Sequence, residues 1–114
     1  MNLPEDAQLL RIFIGEDDKH DGRPLHEVIV EKARKAGIAG STVLRGLLGY
    51  GAHSRIHTSK VLRLSQDLPI VIEIVDTKEK VEEFLPTLDA IMDEGLVTLE
   101  KIRVLKYRHR ESRD

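Results

Sequence analysis

The residues best equipped for chemistry lie in one stretch, Gly46-Leu47-Leu48-Gly49-Tyr50-Gly51-Ala52-His53-Ser54-Arg55-Ile56-His57-Thr58-Ser59-Lys60. The glycines at 46, 49 and 51 tolerate positive φ and let a ligand approach bare backbone N–H groups. His53, Arg55, His57 and Lys60 follow, and each can meet an anion through charge-assisted hydrogen bonds. Capture of a phosphate or carboxylate is the chemistry within reach. A solvated β-arm, kept wet by its charges, is the competing reading, because Gly-x-Gly does not open a helix here as a dinucleotide fingerprint would.

A second constellation is Glu16-Asp17-Asp18-Lys19-His20-Asp21, with five potential metal-coordinating residues in six positions. Carboxylates suit hard cations, but the spacing matches no EF-hand and an ordinary solvated loop is the favoured reading of the run. Lys19 is the residue of this loop able to touch a phosphate across a subunit interface. His53 and His57, four apart, share one side of a strand or helix and with His20 or His26 form a weak candidate metal set. Ser41, Ser54, Ser59 and Ser65 have no evident base. No Gly-x-Ser-x-Gly elbow, Walker loop or His-Glu-x-x-His is present, so the expectation is a binder and not an enzyme.

These residues need elements to hold them. Gln8–Gly15 alternates as a strand, with Leu10, Ile12 and Ile14 on one face and Leu9, Arg11 and Phe13 on the other. The polar run Glu16–Arg23 reads as a loop. Pro24 can open a helix carrying Leu25, Val28, Ile29, Ala33 and Ala36 inward, and Gly37 stops it. Ile38–Leu48 reads as a second strand. Val61–Leu64 is β-rich, Ser65–Pro69 turn-like, and Ile70–Val75 a strong strand. Asp76 or Thr77 caps a second helix with an apolar stripe of Val81, Phe84, Leu85, Leu88, Ile91 and Met92; Pro86 should kink or break it. Gly95 ends it. Val97–Arg108 is the last strand, with a phase slip near Glu100-Lys101 that suggests a bulge.

The order β-α-β-β-α-β predicts an α+β, ferredoxin-like domain spanning residues 1–114, with loose termini at 1–7 and 108–114. Two helices cover one face of an antiparallel sheet, and a long loop joins strands 2 and 3. A hairpin usually closes in roughly two to five residues, so the length of Gly46–Lys60 marks it as functional or disordered. The uncovered face would carry Leu9, Phe13, Val71 and Val75, which predicts oligomerisation.

Composition narrows the classes. The 114 residues are 40% hydrophobic and 33% charged, which describes a globular chain. Eighteen basic against 20 acidic residues, net −2, argue against nucleic-acid binding. With no cysteine there is no disulfide or thiolate site. No apolar run approaches the roughly 20 residues of a membrane span, and no signal peptide is evident, so a cytoplasmic protein is expected.

Gly37-Ile38-Ala39-Gly40-Ser41-Thr42-Val43, followed by Gly49-Tyr50-Gly51, resembles the PII signalling family, whose members read GIxGxTV and then GFG before a long T-loop. Leu68–Val75 resembles the strand after that loop. The runs Gly15–Glu27 and Arg45–His57 are similar to a PII-like branch of small bacterial and archaeal proteins. The resemblance spans Leu9 to Val104. It implies a homotrimer whose open sheet faces line a channel, adenine-nucleotide sites between subunits, and control of a partner protein, such as a membrane transporter, through the loop. By that resemblance Thr42, Gly49, Tyr50 and Gly51 line the nucleotide cleft, Lys60 or Arg63 faces the phosphates, and Ala52, His53, Arg55, Ile56 and His57 meet the partner.

Two departures refine this. One extra residue separates GIAGSTV from GYG. Where PII proteins carry a TGxxGDGK phosphate loop, this chain has Asp93-Glu94-Gly95-Leu96-Val97-Thr98-Leu99-Glu100-Lys101. Fewer N–H donors and more negative charge there favour AMP or ADP over ATP as the effector. The alternatives are a trimeric metal-binding protein similar to CutA, which shares this fold, and a ligand-free interaction scaffold.

Overall fold

The computed structural model describes residues 6–50 and 67–108. In chain order the elements are β1 (Asp6–Gly15), β2 (Lys19–His20), β3 (Arg23–Pro24), α1 (Leu25–Lys35), β4 (Gly40–Arg45), β5 (Pro69–Asp76), α2 (Lys78–Ile91) and β6 (Leu96–Arg103). β1 and β5 alternate with period two, and their antiparallel register sets Leu10, Ile12 and Ile14 beside Ile74, Ile72 and Ile70. All six are buried. The helices cover this face with Val28, Ile29 and Ala33 from α1 and Val81, Phe84 and Leu88 from α2. Removing each Val, Ile, Leu or Phe side chain among them from water contributes about 1.5–3 kcal/mol, which holds the helices on this face.

The sheet order is β4-β5-β1-β6 and every neighbouring pair is antiparallel. Two helices on a four-stranded antiparallel sheet are the ferredoxin-like arrangement expected from the element order. β1 begins at Asp6, within the segment expected to be loose.

Several local readings change. The run expected to be a plain loop, Glu16–Arg23, folds into a two-stranded ribbon of β2 and β3. Asp21 (φ 50°) and Gly22 (φ 78°) occupy its turn. Two successive positive φ values make a type I′ turn, whose twist matches that of its flanking strands. β4 stops at Arg45, short of Leu48. There Gly46 N–H donates to Pro69 O at 2.7 Å, and a Cβ on Gly46 would come within 2.8 Å of the Pro69 ring. α2 runs through Pro86 from Lys78 to Ile91 without the expected break, anchored on both sides by buried Phe84 and Leu88.

The last strand stops at Arg103, and no bulge interrupts it: its register with β1 runs unbroken from Asp6↔Arg103 to Phe13↔Leu96. The phase slip is tolerated because β6 is an edge strand that α2 does not cover. Leu96, Val97 and Leu99 are all exposed, so neither face imposes a period.

Helix ends follow the residues that cap them. Gly37 at φ 78° ends α1, with Ile38 N–H donating to Ala33 O and Gly37 N–H to Arg34 O, the paired bonds of a Schellman motif. Thr77 caps α2 by accepting from Lys80 N–H at 3.1 Å. Fully buried Asp76 joins these two ends, its carboxylate accepting from Ala39 N–H at 2.8 Å and Thr77 N–H at 2.6 Å. Lys80 Nζ donates to Ala36 O and Tyr107 OH to Ala39 O, so the α1–β4 connection is held from three sides. Hydrogen bonds to a charged group contribute about 1.5–3 kcal/mol each, so Asp76→Ala should destabilise the fold by about 3 kcal/mol or more in urea denaturation. Asp76→Asn, which keeps an acceptor, should lose less.

Candidate functional site

The sheet face away from the helices carries a polar row across all four strands: Thr42, Glu73, Arg11 and Thr98 are successive register partners. Arg11 binds carboxylates on both neighbouring strands, with Nε 2.9 Å from Glu73 and Nη1 2.6 Å from Glu100. The Glu73 hydrogen bond, helped by the charges of Glu100 and Glu73 and opposed by desolvation, raises the Arg11 pKa above its ordinary value. The adjoining row, Leu44, Val71, Phe13 and Leu96, is apolar. The open face is therefore apolar ground around a central ion triad. The apolar content was legible from Leu9, Phe13, Val71 and Val75. The triad was not, because its carboxylates lie 62 and 89 residues from Arg11 in the chain.

The sequence-predicted residues divide between two sides. Thr42 is exposed on this open face, beside Glu73. Gly49 lies against Pro69, where a Cβ would approach the ring to 3.1 Å, and Tyr50 is exposed. Lys19 is instead on the helix side, lining a cavity of about 190 Å³ with Asp18, Leu25, Ile91, Asp93 and Glu94. Among the described residues Thr42 lies on the open face of the sheet and Lys19 on the helix side. Gly51, Ala52, His53, Arg55, Ile56, His57, Lys60 and Arg63, together with the expected strand Val61–Leu64, lie outside the described residues.

What sequence reading missed is the frame that holds both ends of segment 46–68. Arg45 Nη1 pairs with Glu16 at 2.9 Å, and Glu16 N–H donates to Leu68 O at 2.8 Å. Asp17 N–H donates to Asp67 Oδ1 at 3.0 Å, with Asp67 itself at φ 43°. Asp18 folds its own turn by accepting from Gly15 N–H. The acidic run 16–18 thus serves as a brace. No local signal distinguished that use from cation binding, since its partners come from β4 and from Asp67 and Leu68 just before β5.

Among the described residues no group of three or more His, Asp or Glu is arranged to hold a metal ion. His20 Nε2 lies 3.5 Å from Asp21, and buried His26 Nδ1 has no hydrogen-bond partner among those residues. No helix among them is long and apolar enough to cross a membrane.

The ribbon carrying Lys19 is tied to α1 through Arg23, which bonds both carboxylate oxygens of Glu31. The Arg23 hydrogen bond, reinforced by its charge against an opposing desolvation, holds the Glu31 carboxyl below the usual range. A carboxylate with a lowered folded-state pKa contributes stability above its unfolded pKa and loses it as pH falls through the folded value. Glu31→Gln should therefore lower Tm slightly at neutral pH, and the difference from wild type should vanish at about pH 2. A difference that persists in acid would show that the pair is not its source.

Known proteins are similar to this chain in sequence and in fold. The DUF190 family, described as "Uncharacterized ACR, COG1993", matches residues 7–104. A UPF0166 protein of Aquifex aeolicus (strain VF5) is 39% identical over 98 residues, covering 86% of this chain and 92% of its own. A UPF0166 protein of Methanocaldococcus jannaschii is 35% identical over 101 residues, covering 88% and 93%. Among solved structures, CPII from Thiomonas intermedia K12, described as bound to ADP and bicarbonate, superposes with a TM-score of 0.59 at 25% identity over 89% of this chain and 90% of its own. A Thermus thermophilus protein described as a PII-like signaling protein superposes with a TM-score of 0.62 over 91% and 93%; at 19% identity it speaks to the fold alone. By residues 7–104 and by the relatives that share them, the chain belongs to the DUF190 (UPF0166) family, a branch with the PII-like fold.

Proposed function

We propose that the chain is a PII-like regulatory protein that binds an adenine nucleotide between subunits of a homotrimer and signals to a partner protein through loop 46–60. The observation carrying this reading is the likeness, over about nine-tenths of both chains, to a PII-like protein described as bound to ADP. Thr42, Gly49, Tyr50 and Gly51 are the proposed cleft residues of one subunit. Lys60, Arg63 and Lys19 are proposed to face the phosphates, Lys19 from a neighbouring copy, since Thr42 and Lys19 lie on opposite sides of one chain's sheet. Ala52, His53, Arg55, Ile56 and His57 are proposed to meet the partner.

AMP or ADP is favoured over ATP on electrostatic grounds. The α2–β6 turn presents exposed Asp93 and Glu94 and offers one glycine, Gly95, so added phosphate charge would meet repulsion with few backbone donors to offset it. Calorimetric titration should give saturable binding of AMP or ADP and weaker binding of ATP, reduced by Thr42→Ala and by Lys60→Ala. Flat isotherms for all three nucleotides would overturn the nucleotide reading.

Trimerisation through the open face is supported by its exposed Leu44 (49%) and Leu96 (56%) beside half-buried Phe13 and Val71. Leu44→Glu places a charge on ground that only a partner subunit could bury, at no cost to the core beneath. Sedimentation should show trimer for wild type and smaller species for the variant; an unchanged trimer would remove this face from the interface.

A further inference from the structure

A groove of about 700 Å³ opens between α2 and the start of β6. Leu85, Pro86, Leu88, Met92 and Val97 give it an apolar floor; Glu82, Asp89, Asp93 and Glu94 give it an acidic rim. Among the described residues no Lys, Arg or His lines it. Lys19 comes nearest, in the neighbouring cavity that shares Asp93 and Glu94.

Two features set the groove apart from ordinary helix surface. First, its charges oppose the helix that bears them. α1 ends on Lys32, Arg34 and Lys35, as the negative end of a helix dipole favours, whereas α2 has no basic residue in its last turn. Asp89 and Asp93 instead gather at that negative end, an arrangement that destabilises the isolated helix and that a bound cation would relieve. Second, Pro86 has no N–H to give to the carbonyl of Glu82, one turn earlier in the helix, and both residues line the groove. A main-chain acceptor without its helical donor thus adjoins four carboxylates over a floor containing the adaptable thioether of Met92.

We infer that this groove is a docking site for a cationic amphipathic peptide segment of a partner protein, whose Arg or Lys side chains meet the rim while apolar side chains enter between α2 and β6. Guanidinium and ammonium groups bring only donors, and the groove offers acceptors and no competing donor charge. The groove shares Asp93, Glu94 and Gly95 with the turn set beside the phosphates above. The inference rests on the groove's own floor and rim, and its test is run without nucleotide so that the two readings fail separately.

The probe is a fluorescein-labelled peptide, Leu-Arg-Lys-Leu-Leu-Arg-Lys-Leu, with a control in which Glu replaces every Arg and Lys. Fluorescence anisotropy should show binding of the cationic peptide that weakens as salt is added, and none of the acidic one. The variant Glu82→Gln/Asp89→Asn/Asp93→Asn should bind about tenfold or more weakly, as expected when rim charges that steer and hold a cation are removed. All three positions are exposed and the change relieves the helix end, so the variant should melt no lower than wild type. Amide shifts in NMR should fall on residues 82–97. Equal binding by the variant, binding of the acidic peptide, or shifts confined elsewhere would overturn the inference. So would failure of the wild type to bind; if the variant then also changes the sedimentation of the chain alone, the groove belongs to a second copy.

Discussion

β1 is paired on both of its edges, to β5 and to β6, and one of its faces must lie under two helices. Because side chains alternate with period two, a slip of one residue would turn Leu10, Ile12 and Ile14 to the open side and bring Arg11 into the core. That penalty holds the register of the whole sheet. Arg11 adds a positive constraint on the other face, since its guanidinium reaches Glu73 on one neighbour and Glu100 on the other. Hydrophobic burial selects the face, and the ion triad ties three neighbouring strands together across the other one.

From that sheet the two ends of the molecule acquire different characters. At one end Asp76, Lys80 and Tyr107 close on the α1–β4 connection and satisfy its backbone groups. At the other, Arg45–Glu16 and Asp17–Asp67 brace the strands from which segment 46–68 departs. The braces are short-range contacts of the turn after β1 with Arg45 at the end of β4 and with Asp67 and Leu68 just before β5. They position Gly46 and Gly49 against Pro69, so the approach to the glycine- and histidine-bearing segment is set by packing.

A net charge of −2 conceals a sharp partition of charge along the chain. From Gly46 to Leu64 there is no acidic residue, and His53, Arg55, His57, Lys60 and Arg63 supply the polarity. From Val81 to Gly95 there is no basic residue, and Glu82, Glu83, Asp89, Asp93 and Glu94 supply it. A partition of charge of this kind bears on encounter and specificity more than on fold.

The sequence by itself determined the order of the four sheet strands and two helices, the buried faces of β1 and β5, the Gly37 stop and a cap at Asp76 or Thr77, because each follows from periodicity or from a residue's own backbone preference. It also carried the family, through Gly37–Val43 and Gly49–Gly51. Tertiary structure alone decided the rest. Whether Glu16–Asp18 coordinates a cation or braces a loop depends on where Arg45 and Asp67 arrive. Whether β6 bulges depends on α2 leaving it uncovered. Whether Arg11 is a stray charge or the centre of a triad depends on register, and the groove beside Pro86 exists only once α2 lies next to Val97. Local preference is written in neighbouring residues, but a contact between distant ones has no sequence signature until the sheet has fixed their distance.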